Sequence, residues 1–171
     1  MNPNLSHYHV DLPYPTVEAG CKNPLYGAEM LSNVGGQNSE MSAVSLYFYN
    51  NLVAECQAVS EAFHYISIVE MHHLEIYGQL ARQLGADPRL WSRGRNQMIY
   101  WSPSYNRYPV SLPQLLRNAI QGEKEAIAKY RKQASWIKND NIVENLNRII
   151  LDEERHLEIM DELYQTYAVK Q

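Results

Sequence analysis

The chain has 171 residues, 45% of them apolar, and a formal net charge of −4. This length fits one domain with a full hydrophobic core, and the acidic balance without a basic stripe excludes an ordinary nucleic-acid binder. No apolar run approaches the length that spans a bilayer, the first nine residues lack the basic cluster and apolar core of a secretory signal, and the distant Cys21 and Cys56 make neither a disulfide framework nor a zinc knuckle, so a cytoplasmic setting is expected.

Residues 1–22, with Pro3, Pro13 and Pro15, predict an extended arm laid on a surface. Residues 23–171 predict a four-helix bundle. Asn23 before Pro24 is a capping side chain followed by proline at the first helical position, and the pattern continues to about residue 56. Gly35 and Gly36 weaken that helix and mark either a kink or a close backbone approach. A second helix covers about 59–84 and stops at Gly85. Residues 86–111 hold no helical period and carry no strand signal; extended, they reach roughly 85 Å at about 3.3 Å each, enough for a crossover along the bundle. Ser111 and Pro113 open a third helix over about 112–138, and Asn139-Asp140-Asn141 turns into a fourth over about 141–167. The fold class is therefore all-α, two helical hairpins joined by a long crossover.

One constellation occurs twice at an offset of 83 positions: Glu40, Tyr47, Glu70, His73 and then Glu123, Tyr130, Glu153, His156. The offset also pairs Glu61 with Glu144, Ile66 with Ile149, and the run His73-Leu74-Glu75-Ile76 with His156-Leu157-Glu158-Ile159, an internal duplication that repeats chemistry. Glu40, Ala43, Val44, Tyr47 and Glu123, Ala126, Ile127, Tyr130 follow the spacing of one helix face, and Glu70-His73 and Glu153-His156 fall within apolar stripes of the second and fourth helices. All four helices thus point acid inward, with no Lys or Arg in the same stripes.

A buried carboxylate must be protonated, paired or metal-bound. Two divalent cations would set plus four against the four carboxylates, so the arithmetic favours two ions over one. A lone Glu-x-x-His is ordinarily a surface pair and a lone inward Tyr ordinarily core; it is the second copy in register that sets this pattern apart. Glu75, Glu158, His72, His7, His9 and His64 read as ordinary polar residues.

These residues resemble the ferritin-like carboxylate proteins, the group of bacterioferritin, rubrerythrin and the manganese catalases, over about residues 25–167. The arm, with Tyr14-Pro15 and Asn23-Pro24-Leu25-Tyr26, is similar to the small manganese-catalase and spore-coat branch. The resemblance implies a ferritin-like bundle with two iron or manganese ions per chain. Glu70 and Glu153 would bridge them, Glu40 and His73 would complete one, and Glu123 and His156 the other. It further implies that Tyr47 and Tyr130 anchor Glu123 and Glu40 by hydrogen bonds, and that Asp152 orients a histidine of the other half. Asp152 has only Val69 as its repeat counterpart, so the two halves are expected to differ. Where rubrerythrins carry a further glutamate this chain has Ala126, and Glu125, one position short, is expected to point elsewhere. Two scattered cysteines cannot form a four-cysteine iron site, so electrons come from an external donor protein or none are needed.

The expected activity is that of an oxidoreductase on hydrogen peroxide, catalase- or peroxidase-like, in oxidative-stress defence, by a homo-oligomer of two or more chains. Two alternatives stay open. One is dioxygen-dependent ferroxidase and iron storage in a cage, against which no fifth-helix segment follows Gln165. The other is a structural, coat-type protein whose metal site only stabilises it, for which the 13 tyrosines are a weak sign.

Overall fold

The computed structural model describes residues 5–169, so Met1 to Asn4, including Pro3, and Lys170 and Gln171 lie outside it. Five α-helices carry the fold: α1 Pro24–Gly35, α2 Glu40–Val53, α3 Gln57–Gln83, α4 Leu112–Trp136 and α5 Asp140–Tyr167. The first arm of the bundle is α1 and α2 in succession, packed on α3; α4 and α5 form the second hairpin, and α3 meets α5 across the middle.

Local chemistry explains most boundaries. Asn23 Oδ1 accepts from the N–H groups of Leu25 and Tyr26 ahead of Pro24, and Asn139 Oδ1 caps α5 through the Ile142 N–H. At the end of α3, Gly85 takes φ +91°, and the Gly85 and Ala86 N–H groups return to the carbonyls of Arg82 and Ala81. That is a Schellman closure, which favours glycine at this position.

The helix expected over residues 24–56 is broken at Gly36–Ser39, because α1 ends at Gly35 and Ser39 restarts the chain as the cap of α2. Both readings of the glycine pair hold together here. The chain kinks, and a Cβ on Gly35 would lie 2.3 Å from the Trp91 nitrogen, so another backbone lies against it. Lys129 of α4 spans the break, its Nζ donating to the carbonyls of Ser32 (2.9 Å) and Asn38 (2.8 Å).

The backbone at Gly35 belongs to a strand, which corrects the expectation of none. β1 Trp91–Arg93 and β2 Met98–Tyr100 pair antiparallel inside the crossover, Trp91 opposite Tyr100 with ring centroids 5.4 Å apart. Three-residue strands are too short for alternation to register, and tertiary packing on α1 supplies what periodicity does not.

The arm makes one 3-10 turn at Leu5–His7 and then runs without helix or strand to α1. It bridges α3 and α5: Gln83 bonds to the Ala19 N–H and the Val17 carbonyl, Asn141 accepts from the Glu18 N–H, and Arg148 donates to the carbonyls of Val10 and Leu12. Among the described residues no helix is long and apolar enough to cross a membrane.

Candidate metal centre

Each bundle helix places its acid between two apolar clusters. On α3, Val59, Phe63 and Ile66 lie on one side of Glu70 and His73, with Ile76, Tyr77 and Leu80 on the other; α5 does the same around Glu153 and His156. Glu123 sits between Leu116 and Ile127 on α4, and Glu40 opens α2, where the helix N-terminus favours a carboxylate. All six residues are buried, none more than 2% exposed.

The six converge as two overlapping sets, Glu40, Glu70, His73, Glu153 and Glu70, Glu123, Glu153, His156, with candidate donor atoms in each set within 4.8 Å of one another. Glu70 and Glu153 belong to both. Each imidazole turns Nδ1 inward toward that shared pair: His73 Nδ1 lies 3.2 Å from Glu70 Oε2 and 3.2 Å from Glu153 Oε1, and His156 Nδ1 lies 3.1 Å from Glu70 Oε1 and 3.2 Å from Glu153 Oε2. Tyr47 donates to Glu123 at 2.5 Å and Tyr130 to Glu40 at 2.6 Å, each reaching across from the other hairpin.

Both Nε2 atoms turn outward. His73 Nε2 meets Asp152 Oδ2 at 3.1 Å, and His156 Nε2 meets the Tyr8 carbonyl at 3.0 Å. Asp152 is held in turn by the Val10 N–H (2.8 Å), the Tyr14 hydroxyl (2.5 Å) and Arg148 Nη1 (2.7 Å). Arg148, only 5% exposed, and the arm's three contacts were not singled out in the sequence. The Arg148–Asp152 spacing of one helical turn was the available sign of the ion pair, but a backbone carbonyl such as that of Tyr8 leaves no mark in a sequence.

Burial, then the charges of Glu153 and Glu70, push the carboxyls of Glu40 and Glu123 well up. Burial pushes Glu70 and Glu153 up as well, and Glu70 adds to the push on Glu153, but the two imidazoles outweigh this and hold both below the usual carboxylate range. Burial opposes charge on the imidazoles; hydrogen bonds from His73 to Asp152, Glu153 and Glu70 raise it, and Glu70 and Glu153 carry His156 to about 9. Two raised imidazoles thus face two lowered carboxylates at the centre, with the raised carboxyls of Glu40 and Glu123 beside them. Glu70 Oε1 and Glu153 Oε1 remain buried without an aligned hydrogen-bond donor. Two unsatisfied carboxylate oxygens at the centre of a set of four acids and two inward Nδ1 atoms form a donor set compatible with a metal site.

The centre opens between α2 and α4. A pocket of about 100 Å³ between α2 and α4 has all four glutamates on its wall, with Tyr105 and Asn106 from the crossover beside them. Glu125 was expected to point elsewhere, yet it also lines this pocket. It is exposed there, accepting from Asn38 at 2.9 Å and Gln121 at 2.8 Å, because one step from the inward Ala126 turns it only as far as the rim. On the opposite side the arm closes the groove between α3 and α5. His72 is exposed, with its ring against Tyr14 at 4.5 Å.

The sequence model of the rubrerythrin family matches residues 36–164. By sequence, the chain matches none of the curated proteins. By structure it is similar to KatB, a manganese catalase from Anabaena, with a TM-score of 0.82 and 21% identity, covering 92% of this chain and 79% of that one. It is also similar to the bacterioferritin-related protein from Bacteroides fragilis, a dodecameric thioferritin, with a TM-score of 0.68 and 18% identity over 86% of this chain and 89% of that one. At these identities the likeness establishes the ferritin-like fold.

Proposed function

The chain belongs to the rubrerythrin family, and we propose that it is a dinuclear iron or manganese oxidoreductase acting on hydrogen peroxide, catalase- or peroxidase-like. The observation that carries this reading is the sharing of Glu70 and Glu153 by two four-residue sets. In the proposed centre Glu40, Glu70, His73 and Glu153 would hold one ion, and Glu70, Glu123, Glu153 and His156 a second. Two such ions, when bound, would supply the two electrons of peroxide reduction, one from each.

The protein's own groups do the rest. Tyr130 and Tyr47 hold one oxygen each of Glu40 and Glu123, which fixes the direction of the free oxygen. A pocket of about 100 Å³ has room for a molecule of peroxide size beside the glutamates. The arm keeps water from the histidine side, so protons and substrate share the α2/α4 entrance. The catalase reading is supported by balance alone: two hydrogen peroxides become two waters and one dioxygen, with no external reductant. The peroxidase reading needs two electrons and two protons from a donor protein for each peroxide.

Ferrous oxidation and storage is a second reading, favoured by one observation: the exposed acid Glu125 on the pocket wall suits entry of a cation. A homo-oligomer fits either reading, since Phe48 and Leu52, one turn apart on α2, are 61% and 67% exposed.

Peroxide added alone to the metal-loaded protein is expected to release one dioxygen for every two peroxides. No dioxygen without a donor restricts the chain to donor-dependent chemistry. Ferrous consumption by a shell of many subunits supports storage, and inertness to both reagents points to the structural, coat-type role.

A further inference from the structure

The duplication is symmetric in its ligands and asymmetric just behind them. Asp152 serves His73, but its repeat counterpart is Val69, which is 4% exposed and has no polar side-chain atom. The N-terminal arm fills that place. The Tyr8 carbonyl takes the His156 Nε2–H at 3.0 Å, and six residues later Tyr14 bonds Asp152 Oδ2 at 2.5 Å while Val10 N–H bonds Asp152 Oδ1 at 2.8 Å. One seven-residue stretch therefore stands behind both imidazoles, by a neutral carbonyl on one side and a bound carboxylate on the other.

We propose that residues Tyr8 to Tyr14 are a positioning part of the metal centre, and that they make its halves unequal: the half built on His73 and Glu40 holds a divalent ion more tightly than the half built on His156 and Glu123. The inference rests on the metal-centre reading above. An acceptor on Nε2–H fixes the imidazole in the tautomer with a bare Nδ1, the atom both rings turn toward the glutamates. A carboxylate acceptor makes the stronger, charge-assisted hydrogen bond and raises the donor power of Nδ1 more than a peptide carbonyl does. Arg148 engages Asp152 Oδ1 at 2.7 Å and leaves Oδ2 to the histidine and Tyr14, so the ion pair orients the carboxylate without displacing it.

The test is calorimetric titration of the full, metal-free chain with Mn²⁺ alone. Two affinity classes are expected. Glu40→Gln removes the tighter and Glu123→Gln the weaker. Asp152→Asn and Tyr14→Phe lower the tighter class, the former by about 10–100-fold, and leave the weaker within a few-fold. Replacing His9 by its α-hydroxy acid converts the Tyr8 carbonyl from amide to ester, a poorer acceptor, with every side chain intact; this lowers the weaker class alone. Val69→Asp gives His156 the partner that His73 already has and brings the weaker class up toward the tighter. These selective shifts separate positioning from general stability, which would move both classes together. Two equal classes in the wild type, or variants that lower both alike, overturn the proposal and leave the metal centre standing. A wild type that takes up no Mn²⁺ overturns the metal centre and this inference with it.

Discussion

At the scale of single residues, Asp152 joins His73, Arg148 and the N-terminal arm just outside the six-residue cluster. It is fully buried, and burial pushes its carboxyl up, but hydrogen bonds from His73, Arg148 and Tyr14 win and hold it well below the usual carboxylate range. A carboxyl depressed in the folded state contributes stability that is complete above its unfolded value near 4 and is lost as pH falls through the folded value. Asp152→Asn leaves the Arg148 guanidinium buried without its counter-charge, a loss of about 3–5 kcal/mol. Urea unfolding of the two proteins should show that full gap at pH 7 and a shrinking gap as the solution is acidified below about pH 4. A gap independent of pH would mean that packing, not charge, is what the aspartate supplies. The sequence already marked Asp152 by its mismatch with Val69; Arg148 stayed hidden because an arginine turned inward is legible only when the segment that buries it has been placed.

Elements show where local rules suffice and where they yield. Helices α3, α4 and α5 follow from unbroken apolar stripes with recognisable starts and stops, because a stripe that recurs over six or seven turns outweighs any single residue. The first bundle helix does not follow, since Gly35 and Gly36 admit either an uninterrupted helix or a break, and the choice depends on a hairpin some 55 residues away in sequence. Two substitutions of the same kind separate these situations. Gly35→Ala drives a Cβ to within 2.3 Å of the Trp91 nitrogen and 2.6 Å of the Leu90 carbonyl carbon, main-chain atoms that cannot swing aside, and should cost about 1–3 kcal/mol. Gly78→Ala, inside α3 with nothing within 4 Å of the new methyl, should add about 0.5–1 kcal/mol. Thermal unfolding that moves both variants in the same direction would remove the hairpin contact as the cause of the break.

For the whole molecule, the proposed metal centre would tie metal uptake to protons and to stability. Burial raises the carboxyls of Glu40 and Glu123; against burial, Asp152, Glu153 and Glu70 raise the His73 imidazole, and Glu70 and Glu153 raise that of His156. Divalent ions entering the same space should therefore displace protons from these groups. Titration in buffers of differing ionisation enthalpy measures that release, and ion uptake with no proton released would contradict the coupling. The imidazole share follows a raised folded value: it is present at neutral pH and fades for His156 as pH passes about 9, so proton release should fall in alkaline solution. With free ion about 100-fold above its dissociation constant, each site adds about 2.7 kcal/mol. For a chain of this length a chelator should then lower Tm by about 10–20 °C. An unchanged Tm would mean that the core tolerates its four acids without a cation.

The sequence by itself determined the helical class, the duplication and the six residues that meet at the centre, since helical periodicity and an 83-residue repeat are properties of order along the chain. Sequence also showed that the halves differ, through Asp152 and Val69. Tertiary structure alone decided what completes each half. The Tyr8 carbonyl behind His156, the Val10 N–H and Tyr14 hydroxyl on Asp152, the hairpin against Gly35 and the lysine spanning the helix break are contacts between segments roughly 55 to 150 positions apart. Several of them use main-chain atoms, which every residue carries alike. Such groups acquire identity only from position in space, so the six inward side chains were legible from the sequence and the scaffold that orients them was not.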